Sequence, residues 1–249
     1  MIDSMQVYRE IPVVTNQSRG RPARLRGIAS VAEYWTVVRH REQARSIIEA
    51  DGGPCVMEAG TGMYLNATLL DIPMAPTVSR EVREQARVQV GSGGNVRRRV
   101  REEELRIGGF EPGGSIWAGT PVFETGIVYL RPPRGVLDEA IAKRSRKIAE
   151  EGIEEVRSLM RLPEVNASVR QSIGIRELAA YIRGEITLRE AETRISTRTR
   201  RLARRQIRWF DKLARTLAPD VPFSVVEEPS VSEQYSKARA EADDIIRTW

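Results

Sequence analysis

Apolar positions in this chain recur at two spacings, and each spacing predicts a different element. From Leu188 the seam Leu188, Ala191, Ile195, Thr199, Leu202, Gln206, Trp209 and Leu213 advances by three or four residues, the period of one helix face. Thr187 and Glu190 form a capping-box pattern at its start, so a long helix is expected over residues 187–217. Residues 137–160 carry Leu137, Ile141, Ile148, Ile153, Val156 and Met160 near the same period, with Gly152 as the break between two helices. Trp35, Val38, Ala44, Ile47 and Ile48 predict a helix over residues 33–50 that stops at Asp51-Gly52-Gly53.

Short continuous apolar runs predict strands instead. Residues 54–58 lie between glycines and read as a buried parallel strand, with Ala59-Gly60-Thr61-Gly62 as the turn that opens the next helix. Residues 126–130 read as a second strand, ended by Pro132-Pro133. Residues 77–90 are amphipathic, Gly91 to Gly94 interrupt them, and a basic segment with Arg97, Arg98, Arg99 and Arg101 leads into a glycine-rich loop over residues 108–119. Residues 230–249 form an acidic amphipathic tail.

Composition narrows the partners. Forty Lys and Arg against 34 Asp and Glu give a net charge of +6 and a pI near 9.8, which favours a polyanion, nucleic acid first. The charge is concentrated: residues 194–215 hold nine basic residues and one acid, Asp211, and such a helix repels itself unless it meets an anion. One cysteine, Cys55, excludes an intrachain disulfide framework and a multi-cysteine zinc site. Cys55 is expected to be a buried strand residue, and His40, in a charged helix, a surface one. Neither a signal peptide nor a membrane span is legible, so a cytoplasmic protein is expected.

Three segments, in order, resemble the tRNA dimethylallyltransferase (IPP transferase) family. Asp3-Ser4-Met5-Gln6-Val7-Tyr8-Arg9 looks like its strand-end signature. Gly60-Thr61-Gly62-Met63-Tyr64-Leu65 is similar to its Gly-Gly-Thr-Gly-Leu-Tyr turn, with Ala59 in place of the first glycine. Arg134, Leu137, Ile141, Arg144, Gly152 and Glu155 follow its helix pattern, Gln171-Ser172-Ile173-Gly174-Ile175-Arg176-Glu177 resembles its Ile-Gly-Tyr-Lys/Arg-Glu motif, and residues 200–210 resemble its Thr-Arg-x-x-Ala-Lys-Arg-Gln-x-Thr-Trp-Phe segment. Ile175 stands where the family has tyrosine, and Asp211 where it commonly has a basic residue.

The resemblance implies an α/β fold with a P-loop nucleotide-kinase-like parallel sheet flanked by helices, N-terminally truncated, with a small helical insertion and a long basic C-terminal helix. Residues 1–75 and 120–217 would form the core, 76–119 a shortened insertion whose tRNA-gripping part is reduced to residues 95–105, and 218–249 a tail. It implies transfer of a dimethylallyl group from dimethylallyl diphosphate to the N6 amine of the adenosine beside the tRNA anticodon, with Mg²⁺. Asp3 would be the base, Gln6 would read the adenine edge, Gly60, Thr61 and Gly62 would meet the diphosphate, and Arg144 would face the leaving group. Ser4, Met5, Gln6, Gln171, Gly174, Arg176, Arg204, Arg205, Gln206, Arg208 and Trp209 would contact tRNA, although the seam spacing equally predicts Trp209 in the core.

No Gly-x-x-x-x-Gly-Lys-Ser/Thr occurs in the sequence, so the family's phosphate loop is expected upstream of Met1. A start assigned too far downstream, a fragment, or an RNA-binding remnant without catalysis would each produce that pattern, the first being favoured. The first strand of such a fold is a central one, so a chain lacking it is expected to expose apolar sheet edges. A relative that prenylates free adenine nucleotides is a further alternative, against which the basic helix argues.

Overall fold

The computed structural model describes residues 1–17, 20, 22–76, 78–90, 96–110 and 114–247. The expected break at Gly91 to Gly94, Asn95 and the terminal Trp249 lie outside the described residues. The chain divides into two compact units, one of residues 1–68 with 123–249 and one of residues 69–122.

Helices dominate the first unit. In chain order they are α1 (Val37–Asp51), α2 (Gly62–Leu69, whose last residue enters the second unit), α5 (Arg134–Glu151), α6 (Ile153–Met160), α7 (Ala167–Arg170), α8 (Ile175–Ile182), α9 (Leu188–Leu217) and α10 (Val231–Arg247). Among the described residues the sheet has two strands, β1 (Ile127–Leu130) and β2 (Phe223–Val226), paired in parallel with Ile127 opposite Phe223. The second unit pairs α3 (Arg80–Gln89) with α4 (Val96–Ile107). There, Arg101 bonds Glu104 at 2.8 Å and the carbonyls of Ala75 and Pro76, tying α4 to the segment that precedes α3.

The long helix begins where the capping pattern puts it. Thr187 Oγ1 accepts the Glu190 N–H at 3.2 Å, and Glu190 Oε2 accepts the Thr187 N–H at 2.7 Å, so two amides at the helix start are satisfied reciprocally. Ala191, Ile195, Thr199, Ala203, Leu213 and Leu217 form its buried face, packed on α5 and α8. Gly152 separates α5 from α6 as expected.

The core gathers Val7, Ile11, Val14, Ile148, Val156, Val169, Leu178 and Ile195. Two carboxylates organise it from within. Glu155 accepts the N–H groups of Val13 and Val14, both at 2.8 Å, and Glu177 accepts the Gly174 N–H at 2.9 Å. Gly174 sits at φ +93°, and a Cβ there would stand 2.8 Å from Val14 and 2.9 Å from Ile148, so backbone conformation and packing both call for glycine.

Three expectations are corrected. Residues 54–58 are not a strand: their backbone partner is Ile2, which donates to Glu58 and forms an isolated bridge with Ala59, and Pro54 has no N–H to give. Cys55 is accordingly exposed rather than buried, since a strand buried on both faces needs partners that this run lacks. His40 is fully buried, because Trp35, just before α1, and Tyr64 of α2 close over it. Beyond these, α10 lies within the amphipathic piece expected over residues 230–249, and β2 is an element the sequence did not announce.

Candidate active site

Segments far apart in the sequence meet around Asp3. Its Oδ1 accepts the N–H groups of Met5 at 2.8 Å and Gln6 at 3.0 Å, the local turn that short acidic side chains form with their own backbone. Its Oδ2 accepts the Thr61 hydroxyl at 3.2 Å, while Thr61 Oγ1 in turn accepts the Ser4 N–H at 3.2 Å. Asp3 is thus anchored through one oxygen and aimed through the other.

The turn after Asp3 reaches the 60–62 segment through backbone as well. Gly60 and Thr61 donate their N–H groups to the Ile2 carbonyl at 3.2 and 3.4 Å. Those two amides are therefore occupied. The next two, at Gly62 and Met63, belong to the first turn of α2, where N–H groups have no partner within the helix.

Helix α9 closes the other side. Gln206 Nε2 donates to the Gly60 carbonyl at 2.6 Å, and Trp209 Nε1 donates to Asn66 Oδ1 at 3.1 Å. The indole lies so close over Gly62 that a Cβ there would be 2.2 Å from its Cδ1. Trp209 is half-buried, both a packing and a surface residue. Asn66 is fully buried and was not anticipated; its signal is that it follows Gly62 by four residues, so both lie on the helix face that the indole covers.

Arg144 of α5 faces the same acid. Burial holds its guanidinium below the usual arginine range, with the negative charge of Asp3 opposing that shift. Its Nε is shielded from solvent and has no hydrogen-bond acceptor among the described residues. Gln6 Oε1 is likewise buried without a partner. Among the described residues no three His, Cys, Asp or Glu side chains gather as a metal cage, and the oxygens of Asp3 and Thr61 are engaged with each other and with backbone. These residues do not by themselves fit Mg²⁺.

The remaining predicted contacts fall on neighbouring surfaces. Met5 Sδ accepts the Ser172 hydroxyl at 2.8 Å, which brings the 171–177 motif beside the Asp3 turn. Arg198 binds that motif at three points: Glu177 Oε1 at 2.6 Å and the carbonyls of Gln171 and Ser172. Gly174 is buried and Arg176 exposed. Arg204, Arg205 and Arg208 are exposed along α9, and none makes an ion pair among the described residues. Arg200 instead pairs with Asp138 of α5 at 3.1 Å.

Behind Asp3 lies the buried layer of His40. Trp35 Nε1 donates to His40 Nδ1 at 3.0 Å, and the imidazole stacks edge-on to Tyr64 at 5.0 Å between centroids. Burial lowers its pKa to about 4, the positive Met1 amino group adding to the effect. A histidine held neutral in the fold but free to protonate when unfolded contributes stability above its ordinary value of 6.5, and this is lost as pH falls toward about 4. The linked loss is on the order of 3 kcal/mol. We expect the urea midpoint of the native protein to fall between pH 7.5 and 4.5 more steeply than that of His40→Gln; parallel curves would show that the imidazole is not held neutral.

No helix among the described residues is long and apolar enough to cross a membrane. The IPP transferase family model matches residues 6–105 and 97–213. A curated tRNA dimethylallyltransferase from Rubrobacter xylanophilus is 53% identical over 251 residues, covering 99% of this chain and 86% of that protein. One from Rickettsia bellii is 29% identical, covering 84% of this chain and 78% of that protein. The crystal structure of the full-length tRNA isopentenylpyrophosphate transferase from Bacillus halodurans superposes with a TM-score of 0.71 at 23% identity, covering 99% of this chain and 87% of that one.

Proposed function

The chain belongs to the IPP transferase family, and on that premise we propose that it is a tRNA dimethylallyltransferase acting on the N6 amine of the adenosine beside the anticodon. The observation that carries the reading is the convergence of Asp3, Thr61 and the Gly60 carbonyl with Gln206 and Trp209 of a basic helix. A carboxylate meets a hydroxyl beside the surface that carries the positive charge.

The chemistry follows from those groups. An aromatic amine is a weak nucleophile, so its attack on the allylic carbon of dimethylallyl diphosphate is helped by a base. Asp3 Oδ2 takes the amine proton as the C–N bond forms, and the electron pair of the breaking C–O bond leaves with the diphosphate. The first amides of α2 and Arg144 supply donors where that negative charge develops, while Thr61, its hydroxyl proton given to Asp3, holds the base in place. Gln6 Oε1, a buried acceptor in need of a donor three residues from Asp3, is the candidate reader of the adenine edge.

Purified protein incubated with tRNA and labelled dimethylallyl diphosphate is expected to label tRNA in preference to AMP; preferential labelling of AMP would overturn the tRNA reading. Arg144→Met adds a second readout. Arg144 is half-buried with a shielded Nε that has no acceptor; such a cation is destabilising unless paired, and an anionic substrate would pair it. The variant is therefore expected to gain about 1 kcal/mol of stability in the free protein, a rise of roughly 2–4 °C in Tm. Transfer should fall by about 10²-fold. A variant that is both less stable and fully active would remove Arg144 from the site.

A further inference from the structure

We infer that the groove between α8 and α9 is a separate phosphodiester-binding site, which grips the RNA backbone away from the reacting base. The inference rests on the tRNA reading and extends it. The groove measures about 540 Å³ and is lined by Arg176 in the first turn of α8, Arg183 just past its end, and Arg194, Arg198 and Arg201 of α9, with two carboxylates, Glu177 and Glu185. Five guanidinium groups against two carboxylates leave three positive charges in excess.

The carboxylates are already committed, which sharpens the imbalance. Glu177 gives one oxygen to the Gly174 N–H and the other to Arg198, and Glu185 pairs with Arg183. Arg176, Arg194 and Arg201 have no ion pair within 4.0 Å among the described residues, Arg194 feeling Glu190 one turn earlier only at longer range, and all three are exposed. Arg198, held by Glu177 and the Gln171 carbonyl, is fixed in place and is not a flexible surface cation. An open cleft with both anchored and exposed guanidinium groups suits phosphodiesters, whose oxygens accept from the planar guanidinium fork.

The position on the helix says which part of the RNA is meant. Arg194, Arg198, Arg201, Arg205 and Arg208 follow one another at spacings of four, three, four and three residues, so they form one stripe along α9. Its far end adjoins Gln206 and Trp209 at the Gly60 turn. Arg194 lies twelve residues before Gln206, about 18 Å along the axis. At about 3.4 Å per stacked nucleotide, that is on the order of five nucleotides from the reacting base. The α8–α9 groove would hold stem phosphates while the turn holds the loop.

The test is the salt dependence of tRNA binding, read by fluorescence anisotropy without prenyl donor between about 50 and 200 mM salt. Arg194→Ala/Arg201→Ala is expected to raise Kd about tenfold and to lower the slope of log Kd against log salt by about two. Arg161→Ala/Arg189→Ala removes the same charge from exposed sites outside the groove and should change the slope by less than half as much. Equal changes in the two variants would mean diffuse attraction and overturn the site. Selective loss of tRNA displacement by inorganic pyrophosphate in the groove variant would overturn it in favour of a free diphosphate site. Tight tRNA binding by the native protein with an unchanged groove variant would sink this inference alone, whereas no binding by the native protein would sink the tRNA reading with it.

Discussion

Asp3→Asn should lower kcat for prenyl transfer by about 10²–10⁴-fold while leaving tRNA affinity within about twofold. Asparagine is the informative replacement because of how the native carboxylate is held. Its amide oxygen still accepts the Met5 and Gln6 N–H groups, so the local turn survives. Its amide nitrogen donates to Thr61 Oγ1, which then accepts from that amide and from the Ser4 N–H together. What the variant lacks is an oxygen able to take a proton from the amine. Asp3→Ala would confound the two roles, since it removes the turn acceptor as well. A single-turnover rate within threefold of the native rate for the asparagine variant would remove Asp3 as the base, whatever its structural importance.

The parts of this structure that the sequence predicted well are those decided by local pattern. Helix α9 carries its own start signal at Thr187 and Glu190 and its own buried face, so neighbours add little to the decision. The α5–α6 break at Gly152 and the strand β1 are of the same kind. The misread positions are those whose state is set by residues distant in sequence. His40 stands between Arg39 and Arg41 in a polar helix, and nothing nearby announces that Trp35 and Tyr64 will enclose it. The apolar run at residues 54–58 has the composition of a buried strand, yet only Ile2 pairs with it. β2 was missed because its four residues form a strand by lying beside β1, almost a hundred positions earlier.

The candidate site shows the same division. The residue types that suit the chemistry were visible as motifs, but periodicity could not say that Asp3, Thr61 and Gln206 would meet; the family resemblance gave each a separate role, and their convergence on the Gly60 turn is visible only in the fold. The partner that neither pattern nor resemblance supplied is Asn66, which fixes the indole of Trp209 and with it the closeness of α9 to the turn.

That closeness makes Gly62→Ala the second large effect. A Cβ at this position would stand 2.2 Å from Trp209 Cδ1 and 2.3 Å from its Nε1, where carbon contacts need about 3.5 Å or more. The ring must move by more than about 1 Å, and the Trp209–Asn66 bond moves with it. Gln206 sits one turn earlier on the same helix and holds the Gly60 carbonyl, so the displacement reaches the turn that positions Thr61. Destabilisation of about 2–3 kcal/mol is expected, together with a fall in kcat on the order of 10²-fold, because a shift of that size misaligns the reacting groups. Trp209→Leu in the Gly62→Ala background relieves the overlap, so the two substitutions should be less damaging together than their separate costs imply, by at least about 1 kcal/mol in a double-mutant cycle. Strict additivity in denaturant unfolding would mean that the indole does not rest on Gly62 in solution, and the contact between α9 and the Thr61 turn would have to be sought elsewhere along the helix.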